Sequence, residues 1–426
     1  MTRQPEGAYR WWVAAFLSLV YALNYLDRQF LSVLAEPVRT ALKLSDTQLG
    51  MLTGLMFAMF YTAFGLPVAA LADRARRTGV IAAACGLWSL ATAACGLATG
   101  FASLAVARIV VGVGEAGGSP PAYSLLSDYF PSEGRGRALA LYALGVPVGS
   151  MLGAASGGWI AVHFGWRTAF FVLGAVGLVV SPLILAVVRE PVRGRFDAAS
   201  STAKEPSWVA LWAMFRRPAL LVTALGAGLS AFIGYGAQNW IPAFLMREKG
   251  MTLQEIALWY SLAVGLAGIV GTWLSGVLVD WLGPRRPAAY ALVPAAATAL
   301  GLPVFWAYLH APTWPVAMVF VAAASLLLIV YLAPALAVLQ NAVPAHQRAT
   351  AGAFLLFILN LIGLGGGPLF VGRLSDHFRA RYGHSALTMG LEGLAPIFIV
   401  SVLVYLLGAS LLEREARERK AGERRP

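Results

Sequence analysis

Residues 276–286, "GVLVDWLGPRR", decide the fold because the chain carries a second copy of their pattern at residues 70–77, "ALADRARR". In each copy a small residue, Gly276 or Ala69, is followed four residues later by an aspartate and then by arginines. The two aspartates, Asp73 and Asp280, are 207 positions apart, which is about half of the 426-residue chain. This spacing predicts that the chain consists of two similar halves.

Hydropathy shows what is duplicated. The chain is 59% hydrophobic and 12% charged, with a mean hydropathy of +0.70, whereas soluble domains are about 25% charged. Twelve apolar runs are each long enough to cross a bilayer as a helix; they lie at about 11–35, 48–71, 79–98, 102–127, 138–161, 168–188, 219–246, 254–281, 288–309, 314–343, 349–374 and 390–412. No segment alternates with the two-residue period of a lipid-embedded barrel. We predict an all-α membrane protein of twelve transmembrane helices in two pseudo-symmetric six-helix halves.

The expected organisation follows from the polar segments between these runs. We predict an amino-terminal bundle at 1–188, a linker at 189–218, a carboxy-terminal bundle at 219–412 and a basic tail at 413–426. Within the linker, Trp208, Leu211, Trp212 and Phe215 have the spacing of an amphipathic helix lying in the membrane interface. Most Lys and Arg residues fall on the side of the termini, so the positive-inside rule predicts that both termini are cytoplasmic. The excess of Arg over Lys and the abundance of Ala favour the cell (inner) membrane of a bacterium.

Several functions are not supported by the sequence. The net charge of +12 is explained by the cytoplasmic loops, so we expect no nucleic-acid partner. Cys85 and Cys95 lie ten residues apart on one predicted helix, too far apart for a disulfide. The glycines of "GVGEAGG" lie within a membrane span, not in a phosphate-binding loop. Without a nucleophile or a metal cluster, we predict no enzyme activity, no metal and no cofactor.

Four charges lie at membrane depth in the first half. Asp27 and Arg28 are in "NYLDRQFL" of span 1, and Arg108 and Glu115 share one face of span 4. A charge facing lipid costs about 2.5–3.5 kcal/mol, so these side chains should face the interior. A structural salt-bridge pair is one interpretation. The alternative, which we predict, is that Asp27 and Glu115 carry protons, that Arg108 pairs with Glu115 or an anionic substrate group, and that Arg28 is a counter-charge or also binds the headgroup.

The spans contain further features that a transporter would use. Four glycines in span 4, Gly112, Gly114, Gly117 and Gly118, predict the close approach of another helix. Spans 7 to 10 have no ionisable residue well inside them, and polar and aromatic groups are found in the second half instead. Candidate cavity-lining residues are Asn24, Tyr235, Gln238, Asn239, Trp240 and Asn360. An amide in a span more often forms a helix-to-helix hydrogen bond than a ligand contact. A cavity with one charged wall and one apolar or amide-lined wall would nevertheless suit an amphipath.

The repeated loops are candidates for a cytoplasmic gate. A carboxylate at the inner end of one helix can accept hydrogen bonds at the amino terminus of a neighbouring helix, and nearby arginines can pair with an acid such as Asp128. The predicted gate residues are Asp73, Arg74, Arg77, Asp128, Asp280, Arg285 and Arg286. For Arg76 and Arg77, fixing the topology through positive charge is an equally good explanation, whereas Asp73 and Asp280 add nothing to that rule and favour the gate.

These motifs resemble known transporters. The repeated loop is similar to the signature loop of the major facilitator superfamily; the second copy matches fully, whereas the first has Ala69 and lacks the loop glycine. The segments "NYLDR", "LWSLAT", "RIVVGVGEA", "GVPVGSMLG" and "VVREPVRG" resemble the spinster branch, mainly over residues 20–195. Its animal members export sphingolipids and lysophospholipids, which implies coupling roles for Asp27 and Glu115 and a partner role for Arg108. Organic anion–cation symporters share the charge pattern of spans 1 and 4.

The sequence therefore predicts a proton-coupled secondary transporter of an amphipathic, lipid-like substrate, working by alternating access. Its expected partners are that small substrate, protons and the bilayer, and the expected state is a monomer. An organic anion–proton symporter or a multidrug–proton antiporter of the same superfamily is the alternative. An uncoupled lipid scramblase or a membrane-embedded lipid enzyme represents a different class.

Overall fold

The computed structural model describes residues 7–196, 216–342 and 348–422, and within these ranges it contains helices and no strand. The first six long helices are α1 (Ala8–Val33), α2 (Asp46–Gly50, Met51–Leu55 and Met56–Arg74), α3 (Arg77–Cys95), α4 (Phe101–Glu115 and Ser119–Tyr129), α5 (Ser132–Ala143 and Gly145–Phe164) and α6 (Trp166–Val187). The next six are α7 (Pro218–Lys249), α8 (Leu253–Glu255, Ile256–Tyr260 and Ser261–Leu282), α9 (Ala289–Leu309), α10 (Trp314–Leu328 and Leu332–Asn341), α11 (Arg348–Ile358, Leu359–Gly366 and Gly367–Tyr382) and α12 (Ala395–Gly422). Short helices are Ala35–Leu42, Gly383–Ser385 and Ala386–Glu392.

The helices account for the predicted twelve spans. Among the described residues, ten segments are long and apolar enough to cross a membrane. One of them, Ala351–Glu418, contains most of α11 and α12, which are two helices. The remaining span is α1, whose 26 residues extend about 39 Å at 1.5 Å per residue. The prediction of an all-α membrane protein with twelve spans is confirmed.

By their packing, the described residues fall into two compact units. The amino-terminal unit lies within Met1–Ser201 and Thr252–Gly265, and the carboxy-terminal unit within Thr202–Met251 and Leu266–Pro426. The start of α8 belongs to the first unit because its Ala257 packs on Gly158, where an added Cβ would lie 2.6 Å from that of Ala257. The sequence assigns this segment to the second half. The predicted interfacial helix at 208–215 lies outside the described residues.

Glycines allow the helices of the amino-terminal unit to pack backbone to backbone. A Cβ at Gly149 of α5 would lie 2.2 Å from the carbonyl oxygen of Ala22 on α1. On α4, a Cβ at Gly112 would lie 2.9 Å from the carbonyl oxygen of Phe57, and a Cβ at Gly114 would lie 2.8 Å from the amide nitrogen of Trp88. Small residues bring membrane helices this close. The close approach predicted for span 4 is confirmed, and its glycines let α4 pack directly against α2 and α3.

The carboxy-terminal unit is held by an apolar core and by hydrogen bonds between helices. The indole N–H of Trp240 on α7 donates to the carbonyl oxygen of Pro368 on α11 over 2.8 Å. The buried hydroxyl of Ser230 on α7 lies 3.4 Å from that of Thr298 on α9 and 3.3 Å from that of Ser401 on α12. Polar groups in such an interior are stable because they are paired. These contacts hold α7 against three of its neighbours.

Candidate functional site

Two ion pairs join α1 to α4 inside the amino-terminal unit. The Nε of Arg28 donates to Oε2 of Glu115 over 2.7 Å, and Nη1 of Arg108 donates to Oδ1 of Asp27 over 3.1 Å. Asp27, Arg108 and Glu115 are each only 1% exposed. The four charges therefore face the interior of the bundle, where each acid is compensated by a base on the facing helix.

The partners differ from those expected. The expectation that Arg108 pairs with Glu115 is wrong, because Arg108 binds Asp27 and Glu115 is taken by Arg28. Seven residues along one helix correspond to about 10.5 Å of rise, which is too far for a direct contact. Each side chain instead meets the oppositely charged group of the neighbouring helix.

A hydroxyl from a third helix completes the environment of Asp27. Thr92 on α3 donates from its Oγ1 to Oδ2 of Asp27, so that each oxygen of the carboxylate has a partner. Thr92 lies in the segment "LWSLAT", but nothing in the sequence distinguishes it from a threonine that bonds its own helix. It is a site residue that sequence reasoning missed.

Arg28 differs from the other three charges in its surroundings. Its guanidinium carbon lies 4.8 Å from the ring centre of Tyr25, 4.7 Å from that of Phe57 and 4.8 Å from that of Tyr61. Its side chain is 15% exposed, whereas that of Glu115 is fully buried. Cation–π contacts of this kind stabilise a desolvated cation. The sequence did not predict these rings, because aromatic residues are common in apolar spans.

Two buried acceptors near this cluster have no hydrogen-bond partner among the described residues. They are Oε1 of Glu115 and the side-chain oxygen of Asn24. Asn24 lies one helical turn before Arg28 and lines a small cavity inside the amino-terminal unit, together with Tyr21, Trp88 and Tyr142. The candidate cavity residue Asn24 is therefore placed within one bundle, between its helices.

A second charged cluster lies at the predicted cytoplasmic ends of α3 and α4. Arg77, 2% exposed, contacts the carboxylate of Asp128 and donates from Nε to Glu190 over 2.7 Å. Glu190 also accepts from the backbone N–H of Thr78 over 3.0 Å. Burial would raise the pKa of Glu190, but the hydrogen bonds from Thr78 and Arg77 outweigh it and hold that pKa below its usual range. Glu190 follows α6 and was not predicted.

The segment after α6 also closes the end of α2. Arg193 donates to the carbonyl oxygen of Ala72 over 2.8 Å and to those of Asp73 and Ala75. Arg193 therefore provides hydrogen-bond donors for backbone carbonyl groups at the end of α2, which have no partner within the helix. We name residues 188–196 the strap, because this segment binds α2, α3 and α4 through Arg193, Glu190 and the N–H of Gly194, which donates to Asp128 over 3.0 Å.

The other predicted gate residues lie on the surface of their units. Asp73, Arg74 and Asp280 are exposed, and within the described ranges neither aspartate forms an ion pair. Arg286 lies 3.4 Å from Glu413 with 61% of its side chain exposed, and Arg285, in the turn after α8, donates to the carbonyl oxygen of Trp281 at the end of α8. Of the predicted arginines, Arg77 is the one that meets Asp128.

In the carboxy-terminal unit the candidate cavity residues have different environments. Tyr235 and Gln238 are half-buried, and the amide of Asn239 donates to the carbonyl of Tyr235 over 3.3 Å. Asn360 is half-buried in the π-helical turn Leu359–Gly366 of α11. Trp240 is 1% exposed and bound to Pro368. It is a packing residue and does not line a cavity open to a substrate, which corrects the expectation.

No metal site is formed by the part of the chain that the structure describes. Within it, no group of three or more His, Cys, Asp or Glu side chains could hold a metal ion. Cys85 and Cys95 are both buried and free. The chemistry available in the site is therefore that of carboxylates, guanidinium groups, hydroxyls and aromatic rings.

Comparison with known proteins gives this arrangement its context. The model of the Major Facilitator Superfamily matches residues 17–368. The chain belongs to the major facilitator superfamily. As a member of this superfamily it is a multi-pass membrane transporter and not an enzyme.

Relatives within the superfamily confirm the resemblance to spinster proteins. A crystal structure of a bacterial homologue of the human lysosomal transporter spinster, inward-facing and unoccupied, has a TM-score of 0.85 and 30% identity, covering 97% of this chain and 98% of that one. Human protein spinster homolog 1 is 28% identical over 88% of this chain and 75% of its own length. An MFS-type efflux pump of Mycolicibacterium smegmatis is 35% identical over 97% of this chain and 96% of the pump.

Proposed function

We propose that this transporter is proton-coupled and moves an amphipathic, lipid-like molecule of the sphingolipid or lysolipid type by alternating access. The observation that carries the proposal is the pair of buried ion pairs, Asp27–Arg108 and Glu115–Arg28. Buried ion pairs contribute little stability compared with apolar packing. Charges in a membrane interior are expensive and usually serve transport, so a role in coupling explains why two pairs are present.

Protonation would change both pairs in the same way. A proton on Asp27 or Glu115 removes the negative charge and so weakens the attraction to the arginine on the facing helix. The arginine is then free to bind another anion. Release of the proton restores the ion pair. In this scheme each carboxylate alternates between binding an arginine and carrying a proton.

Arg28 is the group that would meet the substrate headgroup. Its side chain is 15% exposed and that of Arg108 is 1% exposed, so Arg108 acts as the charge partner of Asp27. An anionic headgroup at Arg28 would compete with Glu115 for the guanidinium. Displaced from Arg28, Glu115 would be left buried without its compensating charge, which favours uptake of a proton. Binding of the substrate and binding of the proton would thus be coupled at one arginine.

The remaining predictions form part of the same proposal. Asp73 and Asp280 would bind helix amino termini as a cytoplasmic gate in one state and release them in the other. Arg74, Arg77, Asp128, Arg285 and Arg286 would belong to the same gate, and Glu190 would hold Arg77 at the inner end of α3 in the state described. We place the protein in the bacterial cell membrane, as a monomer with both termini in the cytoplasm.

Multidrug–proton antiport is a second candidate. It is favoured by the 35% identity with the mycobacterial efflux pump. The same buried carboxylates would carry the proton, and the rings around Arg28 would contact an apolar drug. An organic anion–proton symporter would use the same competition between substrate and Glu115 for Arg28.

A flux measurement in proteoliposomes separates coupled transport from scrambling. Radiolabelled lysophosphatidylcholine is added to one side, and the label that crosses the bilayer is measured by back-extraction with albumin. We expect accumulation above equilibrium when a pH gradient is imposed, and loss of that accumulation when a protonophore collapses the gradient. Equilibration at the same rate with and without the gradient would identify a scramblase and contradict the proposal.

A further inference from the structure

Asp27 is held by donors from two neighbouring helices. One carboxylate oxygen accepts from Arg108 on α4 and the other accepts from Thr92 on α3. The space left beside the carboxylate, between α1, α3 and α6, is too small for a water molecule. From α6 this space is lined by Leu173 and Gly177, which have no polar side chain. A donor that is lost from Asp27 therefore cannot be replaced by solvent.

The hydroxyl of Thr92 is used differently from those of two other buried threonines. Thr53 on α2 and Thr223 on α7 each donate to the carbonyl oxygen four residues earlier in their own helix, over 3.0 and 2.7 Å. Threonines within helices often form this bond. Thr92 is fully buried, but it donates to the carboxylate on α1. Its hydroxyl is thus directed at the group to which we assign the proton.

Thr92 also differs from the other groups that act on Asp27. The charged and titratable groups that interact with this carboxylate come from its own helix and from the two helices that supply its donors; they are Arg28 on α1, Cys95 on α3, and Arg108 and Glu115 on α4. The arginines and Glu115 belong to the two ion pairs. Thr92 carries no charge, so it can be changed without removing a member of either pair.

We propose that Thr92 is a positioning residue that sets the proton affinity of Asp27, and thereby the pH range in which this carboxylate exchanges its proton. A hydrogen bond to a charged acceptor is stronger than one between neutral groups. The Thr92 hydroxyl therefore stabilises the carboxylate more than the carboxylic acid. The inference rests on the proposed function, in which Asp27 carries a proton.

The same hydroxyl can follow the change in protonation. A proton bound at Oδ2 makes Asp27 a donor, and Oγ1 of Thr92 can accept from it. The threonine O–H then turns to the carbonyl oxygen of Trp88, four residues earlier on α3. Asp27 gains one proton, and no covalent bond of Thr92 changes. The contact between α1 and α3 is kept in both states, while the attraction of Asp27 to Arg108 on α4 weakens.

Infrared titration of the purified protein tests the inference without a substrate. The carboxylic acid band of Asp27 is assigned by its absence in Asp27→Asn, and its intensity is followed as the pH changes. We expect Thr92→Val to move the midpoint upwards by about one pH unit, because the carboxylate loses a donor. Thr92→Ser keeps the hydroxyl and should keep the midpoint. The matched control is Thr223→Val, which removes a hydroxyl bonded to its own helix and should leave the midpoint unchanged.

The outcomes distinguish the inference from the proposed function. An unchanged midpoint in Thr92→Val, or an equal upward shift in Thr92→Ser, would overturn the role of Thr92 alone. A wild-type protein with no titrating Asp27 band would refute the proton-carrying role of Asp27, and with it the inference. If Thr92→Val does not fold, Thr92→Ala removes the same hydroxyl without adding a group, and the same criteria apply to it.

The pH profile of transport separates this role from a purely structural one. In proteoliposomes, we expect Thr92→Val to move the acidic limb of the profile to higher pH by about one unit, because Asp27 must lose its proton to complete the cycle. The half-saturating concentration of lysophosphatidylcholine at the pH optimum should stay the same, because the headgroup binds at Arg28. Transport that is reduced at every pH, with no movement of the profile, would show that Thr92 only packs α3 against α1 and would contradict the proposal.

Discussion

At the scale of single residues, the positions of the charges were predictable and their partners were not. The cost of a charge in lipid places Asp27 and Glu115 inside the bundle, and the structure shows both buried. Their pairing with Arg108 and Arg28 depends on how α1 lies against α4, which spacing along one helix does not reveal. Thr92, which binds Asp27 from a third helix, had no distinguishing sequence signal for the same reason.

The pairing leads to a test of stability. Arg108→Gln leaves the Asp27 carboxylate buried without its ion pair, which should lower the free energy of unfolding by about 3–5 kcal/mol. Asp27→Asn in the same chain should restore much of the loss, because no buried charge is then left uncompensated. The measurement is a double-mutant cycle of unfolding free energies in mixed micelles. Arg286→Gln, at an exposed pair, is the control and should change little.

Additive losses in that cycle would contradict the pairing. If Arg108→Gln and Asp27→Asn each destabilise the protein and their effects simply sum, the two side chains do not interact energetically. If Glu115→Gln, and not Asp27→Asn, restored the unfolding free energy of the Arg108→Gln variant, Glu115 would be the partner of Arg108, as the sequence suggested.

At the scale of helices and loops, the sequence predicted the spans but not the strap. The apolar runs predicted the spans, because a helix needs about 20 apolar residues to cross the hydrocarbon core. The glycines of α4 predicted its close approach to other helices, because small residues let helix backbones come together. The segment at 188–196 is polar and irregular, so no periodicity indicates that Arg193 closes the end of α2 or that Glu190 binds Arg77. Arg193 and Glu190 make these contacts because the end of α6 brings the strap next to the ends of α2 and α3.

Glu190 gives the strap a predictable pH dependence. Its pKa is lower in the folded protein than in the unfolded chain, so its stabilising effect is complete above the usual carboxyl pKa and is lost as the pH falls through the lowered value. Because the side chain is partly exposed, we expect Glu190→Gln to cost about 1 kcal/mol at neutral pH. The difference in unfolding free energy between wild type and variant should shrink on acidification below about pH 4. A difference that is the same at neutral and acidic pH would show that the carboxylate charge is not what holds Arg77 and Thr78.

At the scale of the whole molecule, duplication and hydropathy were sufficient for the fold. The repeat of the Asp73 loop at Asp280 indicated two six-helix halves, and membership of the major facilitator superfamily confirms the architecture. The exception is the start of α8, which packs with the amino-terminal unit. That contact depends on the fit of Ala257 to Gly158. It could not be predicted from the hydropathy or the motifs of either half, because the two residues belong to different halves of the sequence. The sequence does not identify the substrate either, because the same four buried charges could bind several kinds of amphipathic molecule.

The most direct test of proton coupling is to follow the protons themselves. Proteoliposomes with a pH-sensitive dye in their lumen are given lysophosphatidylcholine, and the change in internal pH is recorded. We expect a pH change with wild-type protein, a similar change with Glu418→Gln, whose side chain is 63% exposed, and at least about a tenfold smaller change with Asp27→Asn/Glu115→Gln. Proton movement in that double variant equal to the wild type would contradict the central claim that these two buried carboxylates carry the proton.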